Sequence, residues 1–475
     1  MNSQRSDLKQ HSKIALAVLG VLFLGGIVCY KDRLLFVDSA YIAFNIIKDG
    51  HLQIQEHRYG SFVTQMVPWL GSKLHLPIKL ILKAYTLSFN LFYLLAGILL
   101  YRLRRYALII IMAMYYCLLV SDSYYWTNNE IHQAVAWMFI FYAVILTMGE
   151  RKAKLHWLLP VFIALAFLAI YTHFIVLIPF MYLWFFLWIG KEDWPFSKQV
   201  SILLTVCIAL IVSTKFLVVN DHSYDESRLH NITHLSLRDV LPAFVSGGVK
   251  VFFIRCLTNY WVVIIVFVTG VFALIKNRKS GILLYTSAAI ISYIFIMGIT
   301  YPNADFLQFH VESEWQSMAI VVGAPFVFYF LPAIDTRRAV ILLSFIFIVR
   351  LVYIAAANDK FSWRTSFTKE VLQKMSTNGI NKLAILNDPE LKQKYILDWG
   401  VSEESMLMSA MQHDEPQRTF VFINGSDSGM LKILNNPKLV YACFDTIRPQ
   451  SWNYEYFKPD TLQPYTIMTY SELFK

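Results

Sequence analysis

The residues best suited to chemistry lie at positions 31–78, between the first two long apolar segments of the chain. This stretch contains Asp38 and the run Glu56-His57-Arg58. A carboxylate or an imidazole can act as a general base, and a guanidinium can balance negative charge that develops during a reaction. We therefore interpret positions 31–78 as one half of an active site that includes these four side chains.

Two amphipathic segments accompany these residues. The first spans positions 39–49 and is followed by Gly50, where a helix would end. The second begins near Ser61 and contains Pro68, which would bend it. Helices of this kind tend to lie in the membrane–water interface. The stretch therefore predicts a first loop with two interfacial helices, resting on a membrane surface.

Further carboxylates, imidazoles and aromatic rings stand in other gaps between apolar segments. A carboxylate with a His can hold a divalent metal or supply a base, and the flat rings of Tyr and Trp suit sugars, although they are also common membrane anchors. We expect Glu130 to be catalytic and Glu130 with His132 to hold any metal. The substrate-binding candidates in these gaps are Tyr125, Trp126, His173, His310 and Glu312. The gap at 221–234 is also rich in such groups, without a role assigned to any one of them: Asp221, His222, Asp225, Glu226, Arg228, His230 and His234.

Each candidate also has a purely structural interpretation. Asp38 stands where a helix would begin, and Asp is a common N-cap residue. The run Glu56-His57-Arg58 is compatible with a solvated turn, and Glu130 with a charge at the start of a helix. His173 would fit as a hydrogen-bonded His between two apolar helices. These alternatives stay open at the level of the sequence.

The composition is that of a polytopic membrane protein. Of the 475 residues, 57% are hydrophobic and only 16% are charged, against about 25% in soluble domains. The net charge of +10 would suit a nucleic-acid partner, but residues 358–475 carry a net charge of −1. The excess of Lys and Arg therefore falls among the apolar segments, where it sets orientation in a membrane, and we expect no nucleic-acid partner.

Apolar runs of sufficient length predict eleven transmembrane helices. Basic residues occupy every second gap between them, which places these gaps and the N-terminus in the cytoplasm. The other gaps and the C-terminal region then lie outside, in a multi-pass protein of the cell membrane. The predicted spans are 14–30, 79–101, 106–121, 131–148, 155–170, 174–190, 199–218, 257–275, 281–300, 315–332 and 339–357.

Residues 358–475 predict a small extracytoplasmic α/β domain that follows a transmembrane domain at 1–357. Helices are expected at 389–397 and 403–411, and strands at 383–386, 419–423 and 465–470. The run at 424–427 indicates a turn and not a nucleotide-binding glycine loop. We expect no catalytic residue in this domain.

These features together resemble the GT-C superfamily of integral-membrane glycosyltransferases, which includes protein mannosyltransferases and bacterial aminoarabinose transferases. The resemblance rests on an acidic residue soon after the first span, in Phe36-Val37-Asp38-Ser39, and on the long first loop with its interfacial helices. It also rests on acidic and His residues in later outer loops and on a soluble domain after the last span. Ser39 stands where many members have a second acidic residue, so only Asp38 is carried over.

The resemblance implies an enzyme that moves a sugar from a polyprenyl-phosphate donor, whose lipid tail lies in the bilayer, to an acceptor at the outer face. Asp38 would act as base on the acceptor or orient it, with Glu56 and Glu130 as further catalytic carboxylates. Arg58, Arg255 or a metal such as Mg²⁺ or Mn²⁺ would stabilise the leaving phosphate. The sugar is left open, as is the acceptor, which could be a glycan, a lipid or a protein.

Three other classes stay open. A transporter or a lipid-linked sugar flippase would carry charges in mid-span and often internal repeats, and the sequence shows few such charges and no repeat. A polysaccharide polymerase or ligase uses similar donors, but usually carries its main outer loop late in the chain. A non-catalytic membrane protein is the third alternative.

Overall fold

The computed structural model describes residues 2–192, 194–218, 235–386, 388–423, 428–442 and 444–474. Within these residues the protein is a helical membrane protein with a small sheet near its C-terminus. Eight helices are long and apolar enough to cross a membrane, and a ninth crossing is added if the bent pair Gln308–Trp315 and Met318–Ala333 is one span. Shorter apolar helices lie at Tyr106–Tyr115, Phe174–Gly190 and Trp261–Lys276.

The described α-helices and strands follow one another in a simple order. The α-helices are α1 Asn2–Val28, α2 Tyr30–Leu34, α3 Asp38–Asp49, α4 Phe62–Lys73, α5 Ile78–Arg102, α6 Tyr106–Tyr115, α7 Glu130–Glu150, α8 Leu155–Thr172, α9 Leu177–Gly190, α10 Lys198–Leu217, α11 Val240–Phe244, α12 Gly247–Thr258, α13 Trp261–Lys276, α14 Ser280–Thr300, α15 Gln308–Trp315, α16 Met318–Pro325, α17 Thr336–Ala356, α18 Asn358–Thr377, α19 Pro389–Tyr395, α20 Val401–Met411, α21 Ser428–Leu434 and α22 Tyr470–Leu473. The strands are β1 Lys382–Leu386, β2 Thr419–Ile423, β3 Val440–Ala442, β4 Asp445–Ile447 and β5 Thr466–Met468.

Polar contacts join the helix turns at one end of the membrane part. Arg105 Nη1 donates to Glu150 Oε1 at 2.8 Å, and Lys279 Nζ lies 3.8 Å from a Glu192 oxygen. Thr336 Oγ1 donates to Asp7 Oδ1 at 2.8 Å. We call this end of the helices the basic end, because the basic gaps of the sequence lie here. We call the opposite end of the helices, where the other gaps lie, the site end. The helices therefore alternate as the charge pattern predicted, whereas the number eleven and the side of the membrane that each end faces stay predictions.

An apolar helical segment at Leu237–Thr258 was not predicted as a span, although its length and composition would allow one. It is divided into α11 and α12, and both contact the site end. A Cβ at Gly298, near the end of α14, would lie only 2.1 Å from the Ala243 carbonyl oxygen. Arg255, near the end of α12, donates to Gln308 Oε1 at 3.0 Å. The segment therefore runs along the site end and does not connect the two ends.

The two amphipathic helices of the first loop lie where the sequence predicted them, as α3 and α4. Gly50 ends α3 in the left-handed conformation, with φ of 69°, and its N–H donates to the Ile46 carbonyl. Pro68 lies inside α4. The expected position of both helices in the membrane interface stays a prediction.

The C-terminal region has the predicted helices and strands, joined to the membrane part without a linker. The parallel sheet has the order β2-β1-β5, and β3 and β4 form a separate antiparallel hairpin. One continuous stretch of helix, Thr336–Thr377, comprises α17 and α18 and passes through the predicted boundary at residue 357. Buried side chains of this region, such as Leu372 and Leu407, belong to the same hydrophobic core as the membrane helices.

A buried ion pair fastens the C-terminal region to the first loop. Arg364, in α18, and Glu404, in α20, are 1% and 0% exposed at their side chains and are paired. Arg364 donates to the Leu35 carbonyl, while Glu404 Oε1 accepts from the Val37 N–H at 2.8 Å. The contact fixes the backbone immediately before Asp38.

We expect Glu404→Ala to destabilise the protein strongly, because the substitution leaves the Arg364 guanidinium buried without its counter-charge. Breaking one partner of such a pair costs about 3–5 kcal/mol. The control is Glu415→Ala, which removes an exposed ion pair with Lys458 and should change stability by about 1 kcal/mol or less. Thermal unfolding of the full chain in detergent measures both, and equal melting temperatures for the two variants would contradict the prediction.

Candidate functional site

A cavity of about 420 Å³ opens at the site end of the helices. Its walls come from the first loop, from the start of α7, from the turn after α8, from the segment around α15 and from the C-terminal region. Of the residues singled out in the sequence, it is lined by Asp38, Glu56, Arg58, Trp126, Glu130, His173 and His310. Residues that lie up to 272 positions apart therefore share one site.

Asp38 is the first residue of α3 and faces the cavity. The N-cap of α3 is Val37 and no side chain caps this helix, so the capping role considered for Asp38 is wrong. Trp126 Nε1 donates to Asp38 Oδ2 at 2.6 Å. Val37 has a φ of 36°, which is a strained value for a β-branched residue. Strain of this kind persists only where the surroundings enforce it, and here Glu404 holds the Val37 N–H.

The environment of Asp38 favours its protonated form. Burial, and next the negative charge of Glu130, raise the pKa of Asp38 from 3.8 to about 6. The hydrogen bond from Trp126 and the charge of Arg58 act in the opposite direction without cancelling the effect. A carboxyl with a pKa of about 6 can accept a proton near neutral pH and release it readily afterwards.

Glu130 and Arg58 form an ion pair in the wall of the cavity. Arg58 Nη1 donates to Glu130 Oε2 at 3.2 Å, and the two side chains are 11% and 14% exposed. Glu130 is the first residue of α7, and the preceding Asn129 caps that helix by accepting from the Ile131 N–H. The pair places a carboxylate and a cation in the same cavity as Asp38.

Lys215 is a second cation, one that the sequence analysis missed, and it lies behind the cavity lining. It lies near the C-terminal end of the apolar helix α10, and it is 1% exposed. Its Nζ donates to the Glu56 carbonyl at 3.1 Å and to the Tyr171 carbonyl at 3.4 Å. A buried lysine in an apolar helix is itself a signal of function, because a charge there is costly.

His173 lies at the turn between α8 and α9 and lines the cavity. Its Nδ1 accepts from the Ile175 N–H at 3.2 Å, which leaves Nε2 as the remaining ring nitrogen. Burial, and next the charges of Arg58 and Lys215, lower the pKa of His173 well below its ordinary value. His173 is therefore neutral at physiological pH. The charges of Arg58 and Lys215 both act on its ring.

His310 and Asp305 form a hydrogen-bonded pair in the wall of the cavity. His310 Nδ1 donates to Asp305 Oδ2 at 2.8 Å, and the His310 ring lies edge-on to Trp126, with centroids 5.8 Å apart. Trp126 also binds Asp38, so Asp38, Trp126 and His310 form a chain of contacts in the cavity.

Glu312 holds backbone together and does not face the cavity. Its carboxylate accepts from the Ser121 N–H at 2.9 Å, from the Ser123 N–H at 2.7 Å and from the Tyr260 hydroxyl at 2.6 Å. Its expected role in substrate binding is not supported by this position. The residue instead fixes the turn at 121–123 that leads to Trp126 and Glu130.

Four other predicted residues also lie outside the cavity lining. His57 is hydrogen-bonded to the Tyr59 hydroxyl, and Tyr125 donates to the Ile354 carbonyl while its ring stacks on Phe361. Arg255 donates to Gln308 and to the Phe306 carbonyl. His132 is buried and donates from Nε2 to Gln316 Oε1 at 2.7 Å. Each of these side chains has a structural partner that the sequence did not reveal.

The expected metal site at Glu130 and His132 does not fit the structure. The two residues are two positions apart on α7 and therefore face different sides of the helix. Glu130 lines the large cavity, whereas His132 lines a separate cavity of about 20 Å³. Within the described part of the chain, no three His, Cys, Asp or Glu side chains are placed to hold a metal ion. The candidates at 221–234 lie outside the described residues.

The C-terminal region also contributes to the cavity wall, through Trp399 and Phe444. Neither residue was singled out in the sequence, and the expectation of no catalytic residue in this region stays a prediction. The chain matches none of the protein-family models, curated proteins or solved structures with which it was compared.

The stability of the protein should depend on pH through Asp38. Between pH 3.8 and about 6 the folded protein holds a proton on Asp38 that the unfolded chain has lost, so stability falls as the pH rises through this window. Asp38→Asn removes the charge, and we expect the variant to be more stable than the wild type at about pH 7.5. The difference should vanish below about pH 4, where both forms are neutral.

Thermal unfolding of the full chain across this pH range measures the effect. Trp126→Phe is the companion variant: it removes the hydrogen bond to the Asp38 carboxylate, so the pKa of Asp38 should rise further and the window should extend to higher pH. An Asp38→Asn protein that is less stable than the wild type at about pH 7.5 would show that the charge is favourable and that this account is wrong.

Proposed function

We propose that the protein is a membrane glycosyltransferase that moves a sugar from a polyprenyl-phosphate donor to an acceptor. The observation that carries the proposal is the meeting of Asp38, Glu130 and Arg58 in one cavity. Lys215 is hydrogen-bonded to the carbonyl of Glu56, which also lines the cavity. Transfer from a phosphate needs a base for the attacking hydroxyl and positive charge for the leaving group. The cavity offers both groups in one space.

The donor would bind where the two cations meet the lipid-facing surface of α10. Lys215 belongs to this helix, whose neighbouring side chains Leu210 and Leu217 are 61% and 84% exposed. Apolar side chains exposed on a membrane helix face lipid. A polyprenyl tail can lie along this surface while its phosphate reaches Lys215 and Arg58.

The chemistry balances with Asp38 and Arg58 of the cavity and with Lys215 behind its lining. Asp38 accepts the proton of an acceptor hydroxyl as its oxygen forms a bond to the anomeric carbon of the sugar. The bond between that carbon and the phosphate oxygen breaks, and the phosphate leaves with the bonding electron pair. Arg58 and Lys215 stabilise the negative charge that develops on this oxygen. Glu130 holds the Arg58 side chain in position through its ion pair.

The orientation of the protein in the membrane completes the proposal. The basic end would face the cytoplasm and the site end the outside of the cell membrane, in accordance with the distribution of Lys and Arg. Since Glu130 and His132 do not converge, the mechanism assigns no step to a metal ion.

Asp38→Asn should abolish transfer while the protein still folds and inserts, because the amide keeps the size and the hydrogen bond but cannot take the proton. Loss of a general base typically reduces the rate by about 10²–10⁴-fold. Glu130→Gln should be the next most damaging variant, because it loosens Arg58. His57→Ala, outside the cavity lining, is the control and should retain activity.

The assay follows sugar transfer by the purified protein from polyprenyl-phosphate-linked sugars, with folding checked by size-exclusion chromatography. Full activity of a well-folded Asp38→Asn protein would refute the mechanism. If only His57→Ala lost activity, the active site would not be the cavity that contains Asp38.

Lys215→Met should weaken binding of the donor phosphate by about tenfold, because a charge-assisted hydrogen bond is lost. Polyprenyl phosphate without a sugar is the probe, and its affinity for the protein in detergent is the measurement. Lys215→Arg should restore part of the affinity, whereas Lys250→Met removes an exposed lysine at the site end and serves as control. Equal affinity in Lys215→Met and the wild type would exclude Lys215 from the donor site.

A further inference from the structure

We propose that the C-terminal region forms an acceptor-binding surface for a carbohydrate chain. The surface consists of three aromatic rings at the mouth of the cavity, those of Tyr41, Trp399 and Phe444, and of the groove beside the β3–β4 hairpin. The inference rests on the proposed function, which requires an acceptor but leaves its class open between glycan, lipid and protein.

The three rings form one cluster although they come from three separate segments. Tyr41 lies in α3, Trp399 precedes α20, and Phe444 belongs to the turn between β3 and β4. The ring centroids of Tyr41 and Trp399 are 6.0 Å apart, and that of Phe444 lies 5.7 Å from Trp399 and 6.2 Å from Tyr41. All three line the cavity that contains Asp38. Their faces offer an apolar wall against which the C–H face of a sugar ring can pack.

Phe444 is held in an exposed position that its own conformation does not favour. Its side chain is 84% exposed and its φ is 59°, an uncommon value for a large aromatic residue. An exposed ring in such a backbone contributes little to stability, so a binding role accounts for it better than a structural one. The hairpin carries this ring to the mouth of the cavity.

Phe444 also links the cavity to a second, larger space. An open groove of about 750 Å³ lies along the hairpin. Apart from Phe444, five polar and three apolar residues line it: Tyr441, Asp445, Thr446, Arg448, Ser451, Ile433, Leu439 and Ala442. The groove and the reaction cavity therefore adjoin at one residue. An occupant of the groove would pass over Phe444 to reach Asp38.

The chemistry of this path matches a chain of sugars. Hydroxyl, carboxylate and guanidinium groups in the groove can exchange hydrogen bonds with sugar hydroxyls, whereas a lipid chain would bury these groups without partners. A single sugar would fit the ring cluster alone and leave the groove unused. The end of a glycan would thus lie on the rings, with its terminal hydroxyl toward Asp38 and the preceding sugars along the hairpin.

The test uses the full chain in lipid nanodiscs and an array of neutral oligosaccharides, their monosaccharide units and short peptides. We expect binding of oligosaccharides that exceeds binding of the corresponding monosaccharides. Phe444→Ala and Trp399→Ala should each weaken this binding by about tenfold, the loss expected for one aromatic contact. Phe306→Ala is the matched control, because Phe306 is likewise 84% exposed at the site end but does not line the cavity.

Binding of peptides alone, absence of glycan binding, or an equal loss of binding in Phe306→Ala would overturn the inference. The failure of the inference can be distinguished from that of the proposed function. Asp38→Asn should keep glycan binding while it loses transfer. Glycan binding that depends on Phe444 in a protein without transfer activity would contradict the proposed function and support the acceptor surface. Transfer with an unchanged acceptor KM in Phe444→Ala would contradict the acceptor surface alone.

Discussion

The buried pair of Arg364 and Glu404 is the contact on which the site depends most. Charges without water are costly unless every hydrogen-bonding position is used, and here the partners are supplied by backbone. Arg364 donates to the carbonyls of Leu35, Tyr395 and Leu397, and Glu404 accepts from the Val37 N–H. The C-terminal region thereby determines the backbone path into α3, and with it the direction of the Asp38 side chain.

A second buried carboxylate has a comparable effect on the other side of the cavity. Glu312 binds the backbone at 121–123 and the hydroxyl of Tyr260, so the turn before α7 is held against α15. Trp126 and Glu130 follow directly from this turn. The cavity thus lies between two loops, each held by a carboxylate that itself takes no part in it. A loop between membrane helices would otherwise be mobile, and a reaction that requires reach of about 3 Å needs such support.

The electrostatic environment of the cavity follows from this arrangement. Asp38 and Glu130 lie close enough for the charge of Glu130 to raise the pKa of Asp38, while the charge of Arg58, which pairs with Glu130, acts in the opposite direction. Lys215 adds a cation from the lipid side, at the end of a helix that is otherwise apolar. Trp126 contacts both Asp38 and His310, whereas the charges of Arg58 and Lys215 act on His173. Arg58 also pairs with Glu130, so cations and carboxylates share one cavity wall.

The sequence by itself determined the helical membrane class, the alternation of the helices between two ends, the two helices of the first loop and the strands β1 and β2. These features depend on the length of apolar segments, on the periodicity of apolar residues and on the charge of the short gaps. All three are set by residues that are close together in the chain. It also identified Asp38, Glu130 and Arg58 as candidates. Only the tertiary structure decided that Glu312 binds backbone while Glu130 faces the cavity, since the partner of Glu312, Ser121, lies 191 positions away. The sequence could not assign a role to Lys215 or Phe444 for the same reason. Each residue lies near the cavity only because α10 or the β3–β4 hairpin packs against segments that are distant in the chain.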